Sequence, residues 1–286
     1  VGAFMTENET AYDSQWHVPS INPAAAVPES DDLYYQTDQV RYEEESAVFG
    51  EVYVQLNDKT EVTLGHRSFD NETTLKGFVG TVWWPNYILG STTRSDNVDS
   101  LYDGSDSISK VNISYQATDD AMVYATVSEG YRPGGTNRTT QLGATYDADF
   151  LTNYEFGFKT ILMDGKLRLN GAVYSIKWDD IQLGWFDPDI SLLGLVDNVG
   201  EAKSIGFEID SKIILSDKVS ATFAFAKNDA VLTEDYVLRG AVEARENQDL
   251  PFTPDKKGNF GLTAEISDKS RIDFNYAFVD LSLIHI

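Results

Sequence analysis

The chain lacks several features that would assign it to common functional classes. It has no cysteine, which excludes disulfides and thiolate metal sites. Its three histidines, His17, His66 and His285, are too scattered to indicate a metal site. Basic residues number 22 against 46 acidic ones, for a formal net charge of −24, which argues against a nucleic-acid partner. No apolar run approaches the ~18 residues that a membrane-spanning helix needs.

Signals for catalysis are also missing. No serine, histidine and acid cluster by spacing, and Gly134-Gly135 follows a strand pattern without preceding a helix, so it is not a phosphate-cradling loop. We therefore predict a protein that is not an enzyme and has no cofactor or metal site. The chain begins at Val1 with no basic-then-apolar leader, which predicts an internal piece of a longer protein.

The feature that is present is alternation with a period of two. Val111 and Ile113, for example, alternate with Lys110 and Asn112, so each strand has one apolar face and one polar face. The pattern predicts ten strands in five hairpins. They lie at about residues 47–56, 60–69, 109–117, 122–131, 153–162, 166–178, 204–213, 219–225, 260–266 and 271–278.

The connections between these strands follow a strict order. Within each hairpin a short turn is rich in aspartate, as in Met163-Asp164-Gly165, whereas successive hairpins are joined by long loops such as residues 6–42 and 70–106. Short turns that alternate with long loops are typical of bacterial outer-membrane barrels, and ten residues suit a tilted strand that crosses a bilayer. The mid-strand charges, such as Lys110 and Glu155, suit a wet lumen better than the core of a soluble sandwich. We predict an all-β fold, a transmembrane antiparallel β-barrel.

Three stretches resemble the C-terminal barrel of TonB-dependent outer-membrane receptors. They are TDDAMVYATVSEGYRPGGTN at residues 118–137, LTNYEFGFKTILMDGKLRLNGAVYSIKWDDIQ at 151–182, and AVFGEVYVQLNDKTEVTLGHRSFD at 47–70. The last contains Gly65-His66-Arg67, which fits the Gly-x-Arg strand end of that family. The resemblance covers most of residues 47–280 and is specific as a set.

The resemblance implies about ten strands of a 22-stranded barrel in the outer membrane of a Gram-negative bacterium. Residues 1–46 would be a strand end and a long extracellular loop, and 47–280 a partial barrel. Residues 281–286, LSLIHI, would be a non-native adapter-like tail or an ordinary strand end. Ten strands would leave the sheet open, with two unpaired edges.

The implied function is nutrient import. Such a receptor binds siderophore-iron, cobalamin or a glycan outside the cell, lies in outer-membrane lipid, and uses energy from the TonB complex through a plug and an N-terminal segment that this sequence lacks. Two alternatives stay open: a passive porin or channel, and a secreted β-rich adhesin or glycan binder.

Six residues are candidate ligand contacts. The loop tryptophans can stack on a sugar or a planar chelate, or pack against neighbouring loops. The polar residues lie where a strand meets a loop, and they contact a ligand or fix the strand end, with Glu129 and Arg132 paired or solvated. The set is Trp83, Trp84, Glu129, Arg132, Asn137 and Trp185.

Overall fold

The protein is built from β-strands. The computed structural model describes residues 1–20, 32–81, 95–138, 143–186, 193–238 and 240–282, with the backbone alone for Trp185 and Leu238. Within these ranges no helix is long and apolar enough to cross a membrane. The strands are β1 Gly2–His17, β2 Leu33–Asn57, β3 Thr60–Thr81, β4 Val98–Thr118, β5 Ala121–Arg132, β6 Gly135–Thr136, β7 Thr145–Tyr146, β8 Asp149–Leu162, β9 Leu167–Asp179, β10 Gln182–Trp185, β11 Leu195–Asn198, β12 Ala202–Ser216, β13 Val219–Leu232, β14 Tyr236–Leu238, β15 Ala241–Ala244, β16 Lys256–Ser267 and β17 Ser270–Val279.

Eleven of the described strands form one antiparallel sheet in simple sequential order. The order is β1-β2-β3-β4-β5-β8-β9-β12-β13-β16-β17. The six short strands pair in three small hairpins, β6 with β7, β10 with β11, and β14 with β15, and each hairpin lies within one long connection. Short turns and long connections alternate along the whole sheet, so the predicted hairpin order is confirmed.

The register places apolar side chains opposite apolar side chains. Val111 pairs with Leu64 on one side and Val127 on the other. Phe156 pairs with Ala125 and Val173 in the next row. The larger of these side chains are exposed, so the sheet carries a continuous apolar face that is not covered by protein. Polar residues such as Lys110 and Glu155 alternate with them and face the other way, which defines a polar face.

Two predicted loops are wrong in part. Residues 6–42 and 70–106 were expected to be irregular, but β1 continues to His17, β2 starts at Leu33, β3 runs to Thr81 and β4 starts at Val98. The predicted boundary at residue 46 falls inside β2, which runs from Leu33 to Asn57. Strands of 25, 22 and 21 residues exceed the ~9–11 residues of a bilayer crossing. Where a strand extends outside the bilayer, both of its faces can be polar, as at Glu43-Glu44-Glu45. The alternation that predicts a strand is then lost.

The sheet is open, as predicted. β1 and β17 lie at its two edges and do not pair with each other in the described ranges. All ten residues of β17 are exposed. Of the predicted tail at residues 281–286, residues 283–286 lie outside the described part of the chain.

The buried apolar residues form two small clusters rather than a central core. One packs Ile181, Val199, Leu232 and Leu250 between the ends of the later strands. The other joins Tyr35 to residues of β3 and β4. Both clusters lie toward the ends of strands that carry long connections, so this end of the sheet is the part held by side-chain packing.

Gly77 in β3 is expected to be intolerant of any side chain. Its φ is +134°, a conformation that L-residues rarely adopt, and a Cβ there would collide with the carbonyl oxygen of Asp38. Gly77→Ala should lower the free energy of unfolding by about 1–3 kcal/mol, measured by urea unfolding of the protein folded in detergent. The matched control is Gly65→Ala in the same strand, where a Cβ meets only ordinary contacts at 3.4 Å or more. An equal loss for both variants would contradict the strain argument.

Candidate ligand-binding surface

All three small hairpins lie at one end of the sheet, which we call the long-connection end. It comprises the described residues of the connections at 18–32, 82–97, 133–148, 180–201 and 233–255. The opposite end has only turns of two to four residues. Loops that are positioned by a rigid scaffold are the usual carriers of binding residues, so the candidate surface is built from this end.

A buried carboxylate ties the connection after β5 to the one after β9. Asp149, whose side chain is 1% exposed, forms a salt bridge with Arg132 through Nη2 and accepts a hydrogen bond from its Nε at 2.9 Å. The backbone N–H of Gln182 also donates to Asp149, at 2.9 Å. Arg132 in turn donates to the Gln182 carbonyl at 2.8 Å and lies 4.8 Å from the ring centre of Trp178. We call these four residues the Asp149 latch.

The side chain of Asn137 joins the same two connections further out. Its Nδ2 donates to the carbonyl oxygens of Gly143 and Val196, both at 2.7 Å, and its Oδ1 accepts from the backbone N–H of Val196 at 2.9 Å. Asn198 adds a reciprocal pair with the backbone of Asp147, at 2.8 and 3.0 Å. Asn137 therefore acts as a clamp between the β6–β7 and β10–β11 hairpins.

The third hairpin is attached to the second. The hydroxyl of Tyr236 donates a hydrogen bond to Asp197 at 2.6 Å. Burial is the largest cause that raises the pKa of Tyr236, and this hydrogen bond is the second. Tyr236 also packs against the larger apolar cluster, which contains Ile181, Ala244 and Leu250. The connections at 133–148, 180–201 and 233–255 consequently form one linked unit rather than three separate loops.

The polar face carries a second network near the middle of β2 and β3. Glu45 accepts hydrogen bonds from Arg67 at 2.6 Å and from the hydroxyl of Tyr131 at 2.8 Å. The ring of Tyr131 stacks on Phe69 with 3.6 Å between ring centres. Further along the face Lys110 donates to Glu51 at 2.9 Å. The predicted mid-strand charges Glu155 and Lys110 thus lie on the polar face, where they border open clefts of about 510 and 570 Å³ respectively.

Two arginines share one tyrosine at the long-connection end. The guanidinium carbon of Arg138 lies 3.9 Å from the ring centre of Tyr12, and that of Arg41 lies 5.5 Å from it. Arg138 donates to Gln39 at 3.1 Å and to Thr37 at 3.3 Å. Burial, together with the charge of Arg41, lowers the pKa of Arg138. Sequence reasoning missed this group because residues 6–42 read as a loop, which left these side chains without a common face.

The predicted contacts fall in different places. Trp83 and Trp84 lie outside the described residues. Trp185 is in β10, paired with Leu195. Glu129 accepts the backbone N–H of Ser109 at 2.8 Å.

Arg132 and Asn137 both donate hydrogen bonds to the backbone of the connection after β9. Arg132 pairs with Asp149. Sequence reasoning did not identify Asp149 as the partner of Arg132, because the two lie 17 residues apart and only the β5–β8 register brings them together. Within the described ranges no three acidic or histidine side chains are grouped to hold a metal ion.

The architecture defines a class of protein. A sequential antiparallel sheet with one exposed apolar face, one polar face and strictly alternating turns and long connections is the construction of outer-membrane β-barrels. The family model described as "TonB dependent receptor-like, beta-barrel" matches residues 2–278. The chain belongs to this family, whose members lie in the outer membrane of Gram-negative bacteria. In barrels of this kind the long loops face the outside of the cell.

Individual known proteins agree with that assignment. The chain is 29% identical over 133 residues to the metal-pseudopaline receptor CntO of Pseudomonas aeruginosa strain UCBPP-PA14, which covers 46% of this chain and 18% of the relative. It is 25% identical over 198 residues to the ferrichrome outer membrane transporter/phage receptor of Escherichia coli K12, covering 68% and 23%. The chain thus spans about a fifth of the length of these relatives.

A solved structure shows the same fold. The ferric yersiniabactin uptake receptor FyuA of Yersinia pestis superposes with a TM-score of 0.74 at 17% identity, over 96% of this chain and 38% of that one. The predicted family, fold and location are confirmed.

Proposed function

We propose that this chain is part of the barrel of an active-transport receptor that binds a scarce metal chelate, such as a siderophore-iron complex, and imports it with energy from the TonB complex. The observation that carries the proposal is the linked unit at the long-connection end. The Asp149 latch, the Asn137 clamp and the Tyr236 contact hold three outward connections in one arrangement. A pre-organised surface of this kind lowers the entropic cost of binding a small ligand.

The names of similar proteins support the choice of ligand class. The relatives and the solved structure are called receptors or transporters for metal-pseudopaline, ferrichrome and ferric yersiniabactin. All three names refer to metal chelates, which favours a chelate over a glycan. Residues 47–280 would contribute barrel wall, and β1 with the first part of β2 would extend that wall outward.

The candidate contacts divide into two roles under this proposal. Trp83, Trp84 and Trp185 are assigned to ligand stacking, which suits planar chelating groups. Glu129 is assigned to a polar contact at the strand end. Arg132 and Asn137 are assigned to positioning, because their hydrogen bonds already join one connection to another.

The proposal is tested by uptake. The product of the complete gene is expressed in a receptor-deficient Gram-negative host, with and without TonB, and accumulation of radiolabelled iron or nickel is measured for a panel of chelates. We expect uptake of one chelate class that falls to background without TonB or after the proton-motive force is collapsed. Uptake that ignores both would identify a passive channel and refute the proposal.

A further inference from the structure

The two arginines on Tyr12 have little direct carboxylate contact in the described part of the chain. Within the described residues no carboxylate lies within 4.0 Å of Arg138, and the nearest acid to Arg41 is Glu43, which is 43% exposed and only just at that limit, 4.0 Å from Nη1. Two like charges near one ring repel each other, and this repulsion contributes to the lowered pKa of Arg138. The concentration of positive charge is unusual in a chain with a net charge of −24.

The same place holds buried polar atoms without partners. Gln39 is 1% exposed, and its Oε1 accepts from both Thr37 and Arg138, which orients Nε2 as a donor. In the described part of the chain that Nε2, the Nε of Arg41 and the hydroxyl of Thr136 have no hydrogen-bond partner. Buried donors without acceptors are rare in folded proteins and costly, so several in one place indicate an acceptor that arrives from outside.

We propose that Tyr12, Gln39, Arg41 and Arg138 form a binding site for an oxyanion, a carboxylate or phosphate group carried by a soluble ligand. Guanidinium groups present paired N–H donors that match both oxyanions, and the amide of Gln39 adds a third direction. The anion would neutralise the charge of the two arginines and accept hydrogen bonds from the donors that now lack a partner. The Tyr12 ring and the Thr37 hydroxyl orient the side chain of Arg138. The guanidinium has five N–H donors, so some of them stay available for a ligand.

The location suits a ligand that enters from outside the cell. Tyr12, Gln39 and Arg41 lie on the protruding parts of β1 and β2, on the same face of the sheet as Glu45 and Glu51. Arg138 and Thr136 come from the connection after β5, so the site joins the first strands to the linked unit. The inference rests on the proposed function in one respect, since it assigns an anionic group to the chelate that would be imported.

The site is tested by binding, without transport. The product of the complete gene, folded in detergent, is titrated calorimetrically at low salt with citrate and, separately, with inorganic phosphate. Arg138→Gln and Arg41→Gln are each expected to weaken binding by about tenfold or more, the loss of one charge-assisted contact. Arg245→Gln is the matched control, because Arg245 is exposed at the same end and its replacement makes the same change in charge. The control should bind as the unmodified protein does.

Each outcome decides the proposal. Binding of citrate alone assigns a carboxylate, binding of phosphate alone assigns a phosphate group, and in both cases the arginine variants must lose it. Failure of both anions to bind, or equal binding by all variants, overturns the site.

Arg138→Lys guards against misfolding. It keeps the charge without the paired donors, so it should bind more weakly than the unmodified protein and more tightly than Arg138→Gln. The binding and uptake experiments fail independently: anion binding with TonB-independent uptake removes only the proposed transport mechanism, and TonB-dependent uptake without anion binding removes only the site.

Discussion

Asp149→Asn is expected to lower the free energy of unfolding by about 1–3 kcal/mol, the cost of leaving buried donors without their acceptor. The side chain is 1% exposed and is surrounded by donors: the Arg132 guanidinium, the Arg132 backbone N–H at 3.2 Å and the Gln182 backbone N–H at 2.9 Å. Asparagine keeps the shape but removes the charge and turns an N–H₂ group toward some of these donors. Urea unfolding of the detergent-folded protein measures the loss.

The control for this prediction is Asp210→Asn. Asp210 is 47% exposed and lies 3.8 Å from Arg168, so its ion pair is screened by solvent and should contribute under about 1 kcal/mol. A double-mutant cycle with Arg132→Gln should show strong coupling to Asp149→Asn, because both changes remove the same contact. Additive losses, or equal losses for the two aspartates, would show that the latch does not hold the connections together.

Local proteolysis gives a second view of the same variant. The latch joins the connections at 133–148 and 180–201, so Asp149→Asn should expose them to limited digestion before the sheet itself unfolds. Cleavage confined to the short turns at the other end of the sheet would not agree with this role.

Phe156→Lys is expected to cost about 2–4 kcal/mol, the penalty for a basic residue at mid-depth on the lipid side of a barrel. Phe156 lies near the middle of β8, is 54% exposed, and pairs with Ala125 and Val173 on the apolar face. In the membrane its neighbours are lipid chains that cannot solvate an ammonium group. The loss is measured as the change in the free energy of reversible unfolding from lipid vesicles.

Thr126→Lys is the matched control at the same depth. Thr126 is the residue after Ala125 in β5, faces the other way, and pairs with Glu155, which offers the new ammonium group a carboxylate. We expect a change within about 1 kcal/mol there, as for an exposed ion pair. If the two lysines cost the same, the assignment of the apolar face to lipid is wrong.

The regular parts of the sheet could be predicted from the sequence because their cause is local. In the membrane-depth part of β4 and β5 the apolar face must meet lipid and the polar face must meet water, which imposes a period of two on the residues themselves. The outward parts of β1, β2, β3 and β4 obey no such rule. They are held by backbone hydrogen bonds to neighbouring strands, and Glu43-Glu44-Glu45 gives no sign of that ladder.

The candidate site was predicted only in outline. Arg132 and Asn137 were singled out for their place at a strand end, and both lie in the linked unit. Their partners, Asp149 and Val196, were not recognised, since the pairing depends on how separate connections fold against each other. Trp83 and Trp84 lie outside the described residues, so their role stays a prediction.

The sequence by itself determined the class of this protein: alternating strands, short turns followed by long connections, and the family to which they belong. Only the tertiary structure decided which side chains meet at the outward end, where Tyr12, Arg41 and Arg138 come together from positions up to 126 residues apart. The physical reason is the range of the forces involved. Alternation is set residue by residue by the solvent on each side of a strand. The latch, the clamp and the arginine pair depend instead on strand register and on contacts between connections.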